Sequence, residues 1–299
     1  MQPLKFLSAS VGTFGTVTGN LQDAITWHPR PYAQTLTKTI FIIDGWGTPF
    51  CDGVNIYWQA YSPDQNFSHH KIPGETYIVQ EGDTVNFKII NTLTRNHSFV
   101  IDGIADTGTI RPGQSANVHS TAKKPGSYMY YDKLNAPYNR LSGLHGGFAV
   151  MPKNLGNQLY AGSRTFRKQL FWIFNDIDPT WNEAVSRGQT PSTNYTPRYL
   201  SLNGLPVHPP NTPGNVDNTI GGRDDLNSNL IGMIGDRTLI RVLNAGQCTH
   251  AVHWHGNHVE WLTENGKPRS EVWEKDVVPL AGNRGQIDVI YPFEYARDA

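Results

Sequence analysis

Gly82-Asp83-Thr84-Val85 running on to Asn91 has an echo downstream, in Gly235-Asp236-Arg237-Thr238-Leu239 running on to Asn244. In both stretches a Gly-Asp turn delivers a run that alternates polar with aliphatic or β-branched residues, the period of a half-buried strand. A turn-plus-strand unit used twice marks a diverged internal repeat, and 299 residues are enough for two domains. Composition points the same way: 29 Gly and 20 Pro punctuate the chain into short segments, while 13 Tyr and 8 Trp suit pleated, packed surfaces. The expectation is an all-β protein of two tandem sandwiches. Residues 1–35 read as an irregular lead-in, 36–155 as domain 1 and 165–299 as domain 2, with Pro152-Lys-Asn-Leu-Gly-Asn157 marking a linker.

Within that frame, Leu36 to Asp44 reads as a strand that becomes continuously apolar at Ile40-Phe-Ile-Ile43. Arg167 to Asp176 opens the second domain, and a Pro-, Gly- and Asn-rich region from Asp178 to Asn229 reads as a long loop interrupted by a strand at Tyr199–Leu202. Only Trp181-Asn-Glu-Ala-Val-Ser186 offers a turn or two of helix. The charge balance of 25 basic and 25 acidic residues leaves no electrostatic footprint for nucleic acid or an anionic membrane surface, and no membrane span is expected. Two cysteines, Cys51 and Cys248, are too few for a disulfide framework.

The chemistry is concentrated in Thr249-His-Ala-Val-His-Trp-His-Gly-Asn-His258, which holds four of the eleven histidines. Imidazole is the commonest transition-metal ligand at neutral pH, so His250, His253, His255 and His258 are the candidate metal ligands. On an extended backbone His253 and His255 share a face at a spacing of roughly 6 to 7 Å, whereas His250 faces the other way. A single strand of this kind needs further ligands from elsewhere. His69 and His70 read as a solvated loop, His145 as structural, and His28, His119 and His208 lack companions at ligand spacing.

The motif His250-x-x-His253-x-His255-Gly256 resembles the first histidine motif of the final cupredoxin domain of multicopper oxidases. Asn203-Gly204, Arg241 to Gly246 and Lys275-Asp-Val-Val-Pro279 resemble its flanks. Upstream, Val79 to Asn91, Arg111-Pro-Gly-Gln114, Lys124-Pro-Gly-Ser-Tyr-Met-Tyr-Tyr131 and Ser142 to Pro152 are similar to the first domain of copper nitrite reductases and related two-domain oxidases. The resemblance implies two tandem cupredoxin-like Greek-key β-sandwiches. It also implies copper as cofactor, with zinc the alternative occupant, and assigns His250 to a type 1 copper and His253 and His255 to an oxygen-reducing cluster.

The same resemblance implies departures. In the first domain His97 matches a type 1 histidine, but Tyr130 stands at the cysteine's place, Asn139 at the second histidine's and Leu144 at the axial methionine's. Asp102 and Met129, or in a laccase-like alignment Tyr131 and Lys133, replace the other copper histidines, so that domain is expected to lack copper. The second domain is expected to stop before a His-Cys-His segment, leaving it incomplete unless a further segment or a second copy completes it. The implied function is a copper-binding oxidoreductase coupling one-electron oxidation of a small-molecule or metal-ion substrate to reduction of dioxygen. The alternative is a non-catalytic metal-binding or scaffold protein. A periplasmic or secreted location follows from the resemblance alone, because Met1–Gly19 makes a poor secretory signal.

Overall fold

The computed structural model describes residues 12–13, 29–50, 52–206, 230 and 232–295. Most of the expected lead-in, the loop residues 207–229, and His28, His208 and Cys51 lie outside the described residues.

The first half contributes β1 Gly12–Thr13, β2 Thr35–Gly47, β3 Ile56–Ser62, β4 Gly74–Gln80, β5 Thr84–Asn91, β6 Val100–Ile101, β7 Ala105–Asp106, β8 Ser115–Thr121, β9 Gly126–Tyr131 and β10 His145–Met151. The second contributes β11 Lys168–Ile177, β12 Tyr199–Leu202, β13 Leu205–Pro206, β14 Arg237–Asn244, β15 His250–His253, β16 Val259–Glu264, β17 Lys267–Lys275, β18 Val277–Leu280 and β19 Gln286–Pro292. These strands form four sheets, in the orders β3-β2-β5-β8, β1-β4-β10-β9-β6-β7, β13-β12-β11-β14-β19-β16-β17, and the pair β15-β18. The protein is all-β, and the one sizeable helix among the described residues, Pro179–Arg187, starts on an Asp178 cap and stops at Gly188 in the left-handed conformation.

The sheets stack as four layers. Ile40, Ile42, Val85, Phe87 and Ile89 meet Tyr77, Val79, Tyr130, Phe148 and Val150 in the first core. The opposite face of that six-stranded sheet sends Ile78, Met129, Ala149 and Met151 against Phe171, Ile173, Leu239, Leu243 and Ile290 of the seven-stranded sheet. The far face of the latter, with Trp172, Ile240, Val242 and Val289, then packs on Val252, Trp254, Val278 and Leu280 of the small sheet and its continuation. Each fully buried aliphatic or aromatic side chain contributes roughly 1.5 to 3 kcal/mol, so the interface between the halves stabilises the fold as a true core does.

Two-sided covering corrects one expectation. The alternating Arg237–Asn244 segment reads as half-buried, yet every residue after Arg237 is buried, because apolar layers lie on both faces of its sheet. Arg241 is 0% exposed as a result. It donates to Gln169 Oε1 at 3.0 Å and Ser127 Oγ at 2.7 Å, with Asp288 Oδ1 3.8 Å away.

The internal repeat is visible in the pairing. β2 runs parallel to β5, which pairs antiparallel with β8; β11 runs parallel to β14, which pairs antiparallel with β19. The hairpin β16-β17 extends the second of these sheets. Its outer strand carries Lys267, Arg269, Glu271, Glu274 and Lys275, charges that discourage another strand from adding to an open edge.

Candidate metal-binding sites

Equivalent turns in the two halves deliver His97 and His250. Asn91 Nδ2 donates to the Arg95 and Ile110 carbonyls, at 2.6 and 2.9 Å, while its Oδ1 accepts from Leu93 N. Asn244 repeats this with the Cys248 and Ala281 carbonyls, at 2.7 and 3.0 Å, and with Gly246 N. A histidine follows each asparagine by six residues. The two imidazoles nevertheless meet different surroundings.

His97 is 1% exposed, and its Nδ1 lies 2.7 Å from Asp132 Oδ2. Asp132 is fully buried and saturated: Oδ1 accepts from Ser98 N at 3.0 Å, Ser98 Oγ at 2.6 Å and Leu134 N at 2.9 Å, and Oδ2 also accepts from Asn139 Nδ2 at 2.9 Å. The residue that meets His97 and Asn139 is therefore Asp132 and not Tyr130, which lies in the first core with its hydroxyl donating to the Glu75 carbonyl. Leu144 packs in the same core and Met129 in the core between the halves. The remaining expected positions are also engaged: Tyr131 OH donates to Asp102 at 2.9 Å, Arg284 Nη1 donates to the same carboxylate at 2.7 Å, and Lys133 pairs with Asp106.

In the second half, His250 turns Nε2 toward Asp176 Oδ1 at 3.4 Å and stacks on Phe174. Asp176 also accepts from the backbone N–H of Gln247 and Cys248; against the cost of burial, the His250 side chain first and then these donors hold its carboxyl below the usual carboxylate range. His250 Nδ1 has no hydrogen-bond partner among the described residues. Cys248, a free cysteine beside Asp176, has its thiol pushed up by burial and by that carboxylate, which disfavours the thiolate a metal requires.

His253 and His255 come together as expected, both exposed, with ring centroids 4.7 Å apart. His253 Nδ1 lies 3.0 Å from the Asp276 carbonyl, the arrangement in which one ring nitrogen is held by a backbone acceptor and the other is aimed outward. β15 pairs with β18 so that His253 stands opposite Val277, and the alternate residues Val252 and Val278 anchor the pair in the core. His258 is exposed beyond the Gly256 turn. The four imidazoles do not form one cluster: among the described residues no three His, Cys, Asp or Glu side chains converge in a geometry that would hold a metal ion. Of the other histidines, His70 stacks on Phe67, His119 is exposed beside Asn86, and His145 is buried with Nδ1 2.8 Å from the Arg140 carbonyl.

A family profile described as multicopper oxidase matches residues 55–155. Among curated proteins, the copper-containing nitrite reductase of Alcaligenes xylosoxydans xylosoxydans is 24% identical over 220 residues, covering 66% of this chain and 61% of that protein. Residues 55–155 thus match a multicopper oxidase domain, and the chain is similar over most of its length to copper-containing nitrite reductases. The Rhizobium sullae copper-containing nitrite reductase is likewise 24% identical, with 54% of its length covered, so the matched region spans less than two thirds of these curated relatives. Blue copper oxidase from Nitrosomonas europaea superposes with a TM-score of 0.68 at 18% identity, over 88% of this chain and 76% of that one. Copper nitrite reductase from the same organism gives 0.62 at 20% identity, over 86% and 85%. These likenesses show the fold to be of the cupredoxin kind.

Proposed function

We propose that the chain is a copper-binding oxidoreductase of the multicopper oxidase type, with its metal-binding capacity on the second domain at His253 and His255, and with His250 and His258 as further ligands of the same run. The observation that carries this reading is the exposed His253–His255 pair with His253 Nδ1 held by the Asp276 carbonyl. That hydrogen bond selects a tautomer and leaves Nε2 directed outward, as ligating imidazoles are commonly prepared. Asp176 faces His250 Nε2 at 3.4 Å without a hydrogen bond between them, and Nδ1 is the nitrogen left for a ligand. Copper held there would supply one-electron chemistry coupling oxidation of a small-molecule or metal-ion substrate to reduction of dioxygen. The match to a multicopper oxidase domain and the similarity to copper-containing nitrite reductases support that reaction class and a periplasmic or secreted setting. No helix among the described residues is long and apolar enough to cross a membrane.

A second reading, a metal-binding module without oxidase turnover, is favoured by the absence of a third convergent ligand among the described residues. One experiment separates the two. Metal-stripped protein is titrated with Cu(II), and copper content, electron paramagnetic resonance and oxygen consumption with a phenolic donor are followed. Saturable copper with turnover supports the oxidase; copper without turnover supports the module. Equal uptake by wild type and by His253→Ala/His255→Ala rejects both, as does a preference for zinc that leaves no copper bound.

A further inference from the structure

We infer that the first sandwich has a carboxylate clamp where the resemblance expects copper: Asp132 joins His97, Ser98, Leu134 and Asn139 into a metal-free hub that excludes copper from this domain. The inference does not depend on the second domain binding metal.

The donor set itself argues against a metal. His97 offers its Nδ1 to Asp132 Oδ2 at 2.7 Å, so the nitrogen facing the hub is already committed. Both Asp132 oxygens are used: three donors converge on Oδ1, and Asn139 joins His97 on Oδ2. Asn139 presents an amide N–H, a donor that repels a cation, and Leu144 has no donor atom to give. A divalent ion entering here would have to break several hydrogen bonds in a fully buried site without gaining a thiolate or a second imidazole.

What the hub does is mechanical. It ties the start of β6, through His97 and Ser98, to the turn after β9 and to the short helix Tyr138–Leu141 that bears Asn139. The next residue on that helix, Arg140, donates to the Ala245 carbonyl of the second half at 2.9 Å. Arg284 reaches back across the same junction to Asp102, beside Tyr131. The positions expected to hold metal thus fix loops of the first sandwich and its seam with the second.

The test uses full-length protein and two independent readouts. First, Asp132→Ala, and Asp132→Asn as the near-isosteric version, should each lower Tm by roughly 5 °C or more in metal-free buffer, because donors are left buried without their acceptor. An unchanged Tm in Asp132→Asn would overturn the clamp. Second, a variant with His250, His253, His255 and His258 all replaced by alanine should retain no saturable copper by elemental analysis and show no Tm rise on adding Cu(II). Copper retained by that variant and lost on adding His97→Ala would also overturn it. If wild type itself takes up no copper, the proposed function fails, whereas the clamp still stands or falls on the Asp132 melting curves.

Discussion

Asn244 makes around the turn before His250 the same three hydrogen bonds that Asn91 makes around the turn before His97. Each side chain closes its own turn and reaches a distant carbonyl, so each fixes where the following histidine begins. Replacing either by alanine strands buried backbone groups and should cost about 1 to 3 kcal/mol in urea denaturation. The two variants should part company in metal uptake: Asn244→Ala should weaken copper binding, and Asn91→Ala should leave it unchanged. Equal effects on uptake would contradict a metal site confined to the second domain.

His145 gives the fold a pH dependence. Burial holds its pKa down to about 4, aided by the nearby Arg140 charge and opposed by the hydrogen bond to the Arg140 carbonyl. The unfolded chain takes up this proton near pH 6.5, so between roughly 6.5 and 4 the unfolded state binds more protons and stability falls as pH falls. A shift of that size corresponds to on the order of 3 kcal/mol, fully present above pH 6.5 and lost by about pH 4. Chemical denaturation at pH 7, 5.5 and 4 measures it, and His145→Gln should flatten that slope.

Arg241 tests the junction between the halves. Its guanidinium is fully buried with Ser127, Gln169 and Met151 as partners and Asp288 at 3.8 Å; Asp288 in turn accepts from Ser127 and Thr263. Arg241→Ala leaves a buried carboxylate without its counter-charge and should cost about 3 to 5 kcal/mol. Arg241→Met combined with Asp288→Leu, which removes both charges, should recover most of that loss by the same denaturation measurement.

The Gly-Asp turns, the repeated strands and the shared face of His253 and His255 were legible because they depend on local spacing. Other features were not. Nothing near Arg241 in sequence reveals that its strand is covered on both faces, since one cover comes from β9 and β10, 90 or more residues earlier. Asp132 looks like an ordinary loop acid until β9 brings it against His97, 35 residues away. Asp176, on β11, is separated from the His250 it faces by a helix and the three strands β12, β13 and β14. In each case the decisive partner is distant, and period and motif carry no information about it.

Gly246 offers the sharpest local test of how the second histidine run is positioned. A Cβ there would lie 1.7 Å from Asp176 Oδ1 and 2.9 Å from Asp176 N, so both the carboxylate that faces His250 and its backbone stand in the way. The backbone cannot rotate aside as a side chain could, because Asp176 is paired with Leu200 of β12 and the preceding part of β11, up to Phe174, is also paired with β14. Gly246→Ala must therefore displace the turn that leads into His250. Gly235 supplies the control: its φ is +92° but nothing lies within 4 Å of a Cβ, so Gly235→Ala meets only the left-handed backbone cost of roughly 1 to 2 kcal/mol. In parallel melts and copper titrations, Gly246→Ala should lose more stability than Gly235→Ala and should alone lose copper affinity. If both variants bind copper as wild type does, the Asp176-held turn plays no part in presenting the imidazoles.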